Sequence, residues 1–142
     1  MFRVTNSIMI NRPLADVFQY TVDFENMNSW GYKIQKSRKL SAKNQLDYPY
    51  YEVDLDLIAF VEMKSLYEIM NVEDNKHIYA KLDADIFNIN DSFYFEEIDG
   101  QTKVTLNSTV DLRNISLFEF FWKPMAIAGL SKRLEGLKNV LN

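Results

Sequence analysis

An α+β fold, in which a curved antiparallel sheet of about seven strands wraps around a long C-terminal helix, is predicted by three features of this sequence. The first is Ser116 to Leu141, where Phe118, Phe121, Trp122, Met125, Gly129, Leu130, Leu134, Leu137 and Leu141 recur at three- and four-residue steps. That spacing places them on one broad apolar stripe of a helix. The second is the alternation from Thr102 to Arg113. Val104, Leu106, Ser108, Val110 and Leu112 share one face, while Lys103, Thr105, Asn107, Thr109, Asp111 and Arg113 share the other. One face packs and the other meets water, as in an antiparallel sheet. The third is Asp99-Gly100 between two such runs, a dipeptide that favours the twisted two-residue hairpin turn. A helix cannot bury so wide a stripe alone, and the apolar face of the sheet is its natural match.

Each element follows in order. Phe2 to Ile10 reads as a strand rich in β-branched residues. Pro13 suits a first helical turn, where its missing N–H would have been unpaired anyway. Leu14, Val17, Phe18, Thr21 and Val22 then give a short helix, and Asp23 caps a second one ending near Trp30. Tyr32 to Leu40 is a basic strand with Tyr32, Ile34, Lys36, Arg38 and Leu40 on one face. Ser41 to Tyr48 connects it to a strand predicted over Tyr51 to Met63, with Lys64 to Val72 as the next. Glu73 to Lys76 is a turn. Ile78, Ala80, Leu82, Ala84 and Ile86 alternate with polar residues, Asn88 to Asp91 reads as a turn, and Ser92 to Ile98 opens the last hairpin. Pro124 predicts a kink or break in the final helix. Without a repeat or linker, residues 1–142 are expected to form a single domain.

Composition narrows the function. A formal charge of -4 and an acidic balance argue against a nucleic-acid binder, whose phosphate contacts need a basic face. The absence of Cys removes disulfides, thiol nucleophiles and thiolate metal sites. His77 is the single histidine and borders a polar turn, so no metal-ligand set is expected, and no phosphate loop points to a cofactor. Asp54/Asp56 and Asp83/Asp85 fall on water-facing positions, whereas acid–base work needs a desolvated carboxyl. The N-terminus carries no signal-type apolar core, and the window from Leu117 to Leu130, interrupted by Glu119 and Lys123, is shorter than the ~20 residues of a membrane span. The expectation is a soluble, cytoplasmic protein. The 14% share of aromatic residues exceeds what a small core needs and favours a lined cavity or an interaction surface.

The order of elements carries particular residues with it: Ile8-Met9-Ile10-Asn11-Arg12-Pro13, then Asp16-Val17-Phe18, Asp23 and Trp30. Later come Phe93-Tyr94-Phe95-Glu96, Gly100, Thr102-Lys103-Val104-Thr105 and the closing Leu134-Glu135-Gly136-Leu137-Lys138. Over nearly the whole chain this pattern resembles the START-related (SRPBCC) superfamily of ligand-binding domains, polyketide cyclases and lipid-transport proteins, which have the helix-grip fold. One departure stands out. Lys43-Asn44-Gln45-Leu46-Asp47 replaces the Gly-x-Gly often found before the third strand.

The resemblance implies a pocket between the concave sheet face and the long helix, lined by Trp30, Tyr51, Val53, Leu55, Leu106, Phe121, Met125 and Gly129. Each alone also suits a filled core, since interiors are close-packed. Arg38 is a candidate to hold a carboxylate or phosphate with its guanidinium fork, and Ser108 to hydrogen-bond a ligand. No catalytic acid–base pair emerges. Binding or transport of a hydrophobic small molecule, such as a lipid, isoprenoid or polyketide-like compound, is therefore expected ahead of a cyclase or dehydratase. A third reading is an interaction module using the rings from Phe118 to Trp122, where Phe120 is a candidate for a homodimer contact, a peripheral membrane contact or the pocket entrance.

Overall fold

A computed structural model describes residues 1–58, 61–112, 124 and 127–142. Seven strands, β1 (Phe2–Ile10), β2 (Ile34–Lys43), β3 (Pro49–Ile58), β4 (Val61–Glu73), β5 (His77–Asp83), β6 (Phe87–Ile98) and β7 (Gln101–Leu112), form one sheet in the order β1-β7-β6-β5-β4-β3-β2. Every neighbouring pair is antiparallel. Helices α1 (Leu14–Val22) and α2 (Met27–Trp30), with a 3-10 turn between them (Phe24–Asn26), follow β1, and α3 (Arg133–Leu141) closes the described chain. The residues on either side of Pro124, where a kink or break is predicted, the rings from Phe118 to Trp122, and Met125 lie outside the described residues.

Local chemistry explains the elements. Asp99 and Gly100 both adopt positive φ, 52° and 80°, as the tight turn joining β6 to β7 requires. Asp23 accepts a bond from the Glu25 N–H at 3.1 Å and so caps the 3-10 turn. Along α3, Leu134, Leu137 and Leu141 are buried as the stripe predicts. The helix is tied to the β1 side at both ends. Asn6 donates its amide to the Leu130 carbonyl at 3.3 Å, and the Asn11 N–H bonds the Asn142 side chain at 3.0 Å.

The segment from α1 to α2 covers the free edge of β2. Asn28 accepts from the Ser37 N–H at 2.7 Å and donates to the Ser37 carbonyl at 2.8 Å, as a neighbouring strand would. Glu25 accepts the next outward N–H, that of Lys39, at 2.9 Å. Such cover blunts an edge that would otherwise recruit another strand. Where Gly-x-Gly is missing, Asn44 builds the turn instead. Its side-chain oxygen accepts from the N–H groups of Leu46 and Tyr48, and its amide donates to the Ile69 carbonyl at 2.7 Å.

Three sequence expectations need correction. Tyr51 to Met63 is not one strand, because the chain reverses between Ile58 and Val61. The pairing sets Tyr51 opposite Tyr67, Val53 opposite Ser65 and Leu55 opposite Met63. From Tyr51–Tyr67 to Leu55–Met63 odd residues face odd residues, so the alternation has the same phase on both arms and conceals the reversal between them. Asn88 to Asp91 is not a turn either. The chain turns at residues 84–86, with the Ala84 N–H bonding the Phe87 carbonyl at 3.0 Å. Asn88 to Asp91 then run inside β6. Finally, a bulge between Ile34 and Lys36 shifts the phase of β2. Ser37 turns inward and is buried, while Arg38 points outward and forms an ion pair with Glu52.

Candidate functional site

The concave face of the sheet is apolar with a few polar groups set into it. Tyr51, Val53 and Leu55 on β3 and Leu106 on β7 are all buried there, as is Trp30 on α2. Phe24, at the start of the 3-10 turn, inserts its ring between Tyr51 and Tyr67, with centroids 5.4 Å and 4.7 Å away. Against this background stand two polar regions.

The first is a buried charge cluster. Arg133, the first residue of α3, forks onto Asp91 of β6, with Nη1 to Oδ1 at 3.0 Å and Nη2 to Oδ2 at 2.9 Å. Ser108, opposite Asp91 on β7, donates to Oδ1 at 2.6 Å. Tyr67 of β4 donates its hydroxyl to Oδ2 and accepts from Arg133 Nη2 at 2.8 Å. Arg133 Nη1 also reaches Ser108 Oγ at 3.3 Å. Asp91 is 0% exposed and Arg133 8%, so both charges are desolvated and each neutralises the other. Burial pushes the Tyr67 phenol well above its ordinary value; Arg133 opposes the shift and Asp91 adds to it. Burial works to lower Arg133, but Asp91 and then Tyr67 outweigh it and hold the guanidinium above its ordinary value, charged.

The second region lies one residue pair away along β4. Ser37, Val53 and Ser65 form a row across β2, β3 and β4, with Ser37 opposite Val53 and Val53 opposite Ser65. Both hydroxyls are buried, yet neither has a hydrogen-bond partner, and the same holds for the Trp30 ring N–H. Next to this row, burial first and then the carboxylates of Asp23 and Glu25 push Tyr51 up to about 12, a backbone bond to Phe24 working the other way.

The predicted site residues therefore fall into groups. Trp30, Tyr51, Val53, Leu55, Leu106 and Ser108 are brought together on the inward side, with Ser108 engaged by Asp91 and Arg133. Arg38 is not among them, because the β2 bulge places it on the outer face beside Glu52. Gly129 is half-buried, and a Cβ there would meet the Tyr32 ring at 3.0 Å, so this glycine makes room for that ring. Phe121 and Met125 lie outside the described residues. His77 sits half-buried at the start of β5 and stacks on Tyr94 at 4.7 Å. Among the described residues no group of His, Asp and Glu is placed to hold a metal ion.

Asp91, Tyr67, Arg133, Ser37 and Ser65 are site residues that the sequence reading does not single out, yet two leave a trace in the sequence. Asp91 shares the phase of Phe87, Ile89, Phe93 and Phe95, so an unbroken β6 puts it inside. Arg133 lies four residues before Leu137 and four after Gly129, within the apolar stripe of the helix. A charge at each of two inward positions predicts a pair.

The fold and site can now be set beside known proteins. Over residues 1–142 the sequence matches the family described as polyketide cyclase / dehydrase and lipid transport. The chain belongs to that family. Family resemblances in structure run across the full length at low identity. A START superfamily protein from Mycobacterium smegmatis aligns with a TM-score of 0.76 at 16% identity, covering 99% of each chain. The Zhui aromatase/cyclase from Streptomyces sp. R1128 gives 0.79 at 13% identity, over 99% of this chain and 90% of that one. A protein from Thermus thermophilus gives 0.79 at 14%, over 97% of this chain and 95% of that one. No curated protein matches the sequence. These likenesses establish the helix-grip fold; at such identity the activity of a neighbour does not transfer. Among the described residues no helix is long and apolar enough to cross a membrane.

Proposed function

We propose that the chain binds a hydrophobic small molecule between the concave face of the sheet and α3, and acts as a binder or carrier. Membership of a cyclase and lipid-transport family supports the general class. The observation that carries the reading is the make-up of the concave face, where Tyr51, Val53, Leu55 and Leu106 supply apolar surface around a small number of placed polar groups. That is the composition of sites for small apolar molecules. The charge cluster favours binding over catalysis. A general acid or base works best with a pKa near the working pH. Here Tyr67 holds its proton far into alkaline conditions, and the Asp91 carboxylate is committed to Arg133, Tyr67 and Ser108.

Pyrene provides the test, being a neutral hydrocarbon whose fluorescence reports its surroundings. The native protein should take it up saturably, one molecule per chain, with the matching mass adduct in gentle native mass spectrometry. Failure to saturate would remove the binding reading. Turnover of a model poly-β-ketone by the native protein would replace it with the cyclase alternative.

A further inference from the structure

The unbonded hydroxyls of Ser37 and Ser65 are the feature of the concave face that folding alone leaves without a use. A buried hydroxyl without a partner forfeits its hydrogen bonds to water, so such groups are rare and ask for an explanation. Ser37 is 3% exposed and Ser65 4%. Each has the choice of bonding its own or a neighbouring backbone, as serines commonly do, and neither does. They face the same side of the sheet, separated by Val53 alone, at about 10 Å from strand to strand across two spacings.

Charge decides what these groups can receive. Serine hydroxyls are neutral. Arg133 is the one buried cation among the described residues, and Asp91 already neutralises it through two bonds. Arg38, the other candidate to meet an anion, is on the outer face with Glu52. An ionised carboxylate or phosphate beside Ser37 and Ser65 would thus lose its water and gain no counter-charge from the described residues, a heavy penalty in a desolvated site. A hydroxyl or carbonyl oxygen meets no such penalty and can bond whichever serine it reaches, as donor or acceptor.

Resting on the binding reading above, we propose that the Ser37–Val53–Ser65 row forms the polar end of the ligand site, and that it selects uncharged apolar molecules bearing hydroxyl or carbonyl oxygens over anionic amphiphiles such as fatty acids. Three probes with the same ring system separate the terms: pyrene, 1-pyrenemethanol and 1-pyrenecarboxylate, each titrated at pH 8, where the last is ionised. The native protein should bind the alcohol at least tenfold more tightly than the carboxylate. The double variant Ser37→Ala/Ser65→Ala should lose about tenfold for the alcohol, the loss expected when a hydrogen bond of ordinary strength is removed, and stay within twofold for pyrene. Its circular dichroism and thermal midpoint should match or exceed the native values, because the replaced hydroxyls hold nothing in the fold. Equal affinity for alcohol and carboxylate, or a double variant that keeps its full affinity for the alcohol or loses pyrene in the same proportion, would overturn the selectivity while leaving binding intact. Absence of pyrene uptake by the native protein would overturn both readings together.

Discussion

The Asp91 cluster and the Ser37–Ser65 row lie side by side on one face, with Tyr67 and Ser65 two residues apart on the same strand. In the cluster each carboxylate and hydroxyl oxygen is hydrogen-bonded. In the row neither hydroxyl is. The difference follows from charge. A buried carboxylate left alone is so costly that the chain has to supply its counter-ion and donors, and it draws them from β4, β7 and α3. A buried neutral hydroxyl costs less, so a fold can tolerate one that its ligand completes. Closed polar groups in an apolar site hold its walls in register, and open ones are available for recognition.

That contrast can be broken or sharpened by substitution. Asp91→Ala should have the largest effect, about 3–5 kcal/mol lost in denaturant unfolding, because it strands the Arg133 charge in the interior. Replacing the whole cluster at once (Tyr67→Phe, Asp91→Leu, Ser108→Ala, Arg133→Met) should recover most of that loss, since a matched apolar set avoids the desolvation of both ions. A quadruple variant as unstable as Asp91→Ala would mean the cluster is itself a source of stability.

Alkaline unfolding gives the next largest effect. The fold favours the neutral form of Tyr51, raised from 10.0 to about 12, and of Tyr67, raised well above its ordinary value. Their contribution is complete below pH 10 and is lost as pH climbs through the raised values. For Tyr51 the loss between pH 10 and 12 is roughly 3 kcal/mol, and Tyr51→Phe should flatten that part of the stability profile. Ser108→Ala should cost about 1 kcal/mol, since Asp91 Oδ1 loses one donor and keeps Arg133. Smallest of all, Ser37→Ala and Ser65→Ala singly should fall within about 0.5 kcal/mol of native or stabilise slightly. A cost for these comparable to that of Ser108→Ala would show hidden partners and erase the distinction between the two regions.

How far the sequence reaches depends on what each residue depends on. The hairpin at Asp99-Gly100, the alternation of β7 and the stripe of α3 are properties of a few neighbouring residues, and the sheet with its gripped helix follows from them. The β3–β4 reversal stays invisible because Leu55 pairs with Met63 in unchanged phase. Arg38 is turned to the other face by one extra residue in β2, an irregularity with no local signature in Ile34-Gln35-Lys36. Asp91 is hidden for a different reason. Asn88-Ile89-Asn90-Asp91 has the composition of a turn, and the strand persists only because β5 and β7 pair with it from both sides. The partnership of Asp91 with Arg133, 42 residues on, is a property of the assembled sheet and helix.

One contact of α3 has a bearing on everything beneath it. At Gly136 a Cβ would stand 2.2 Å from the Trp30 carbonyl oxygen, so helix and α2 meet there main chain to main chain. Two backbones cannot swing aside as side chains do, and this end of the helix has a rigid roof beam in place of an adjustable one. An occupant of the proposed site would thereby be gauged by its thickness near Trp30, and tolerance for bulk would have to come from elsewhere along the helix.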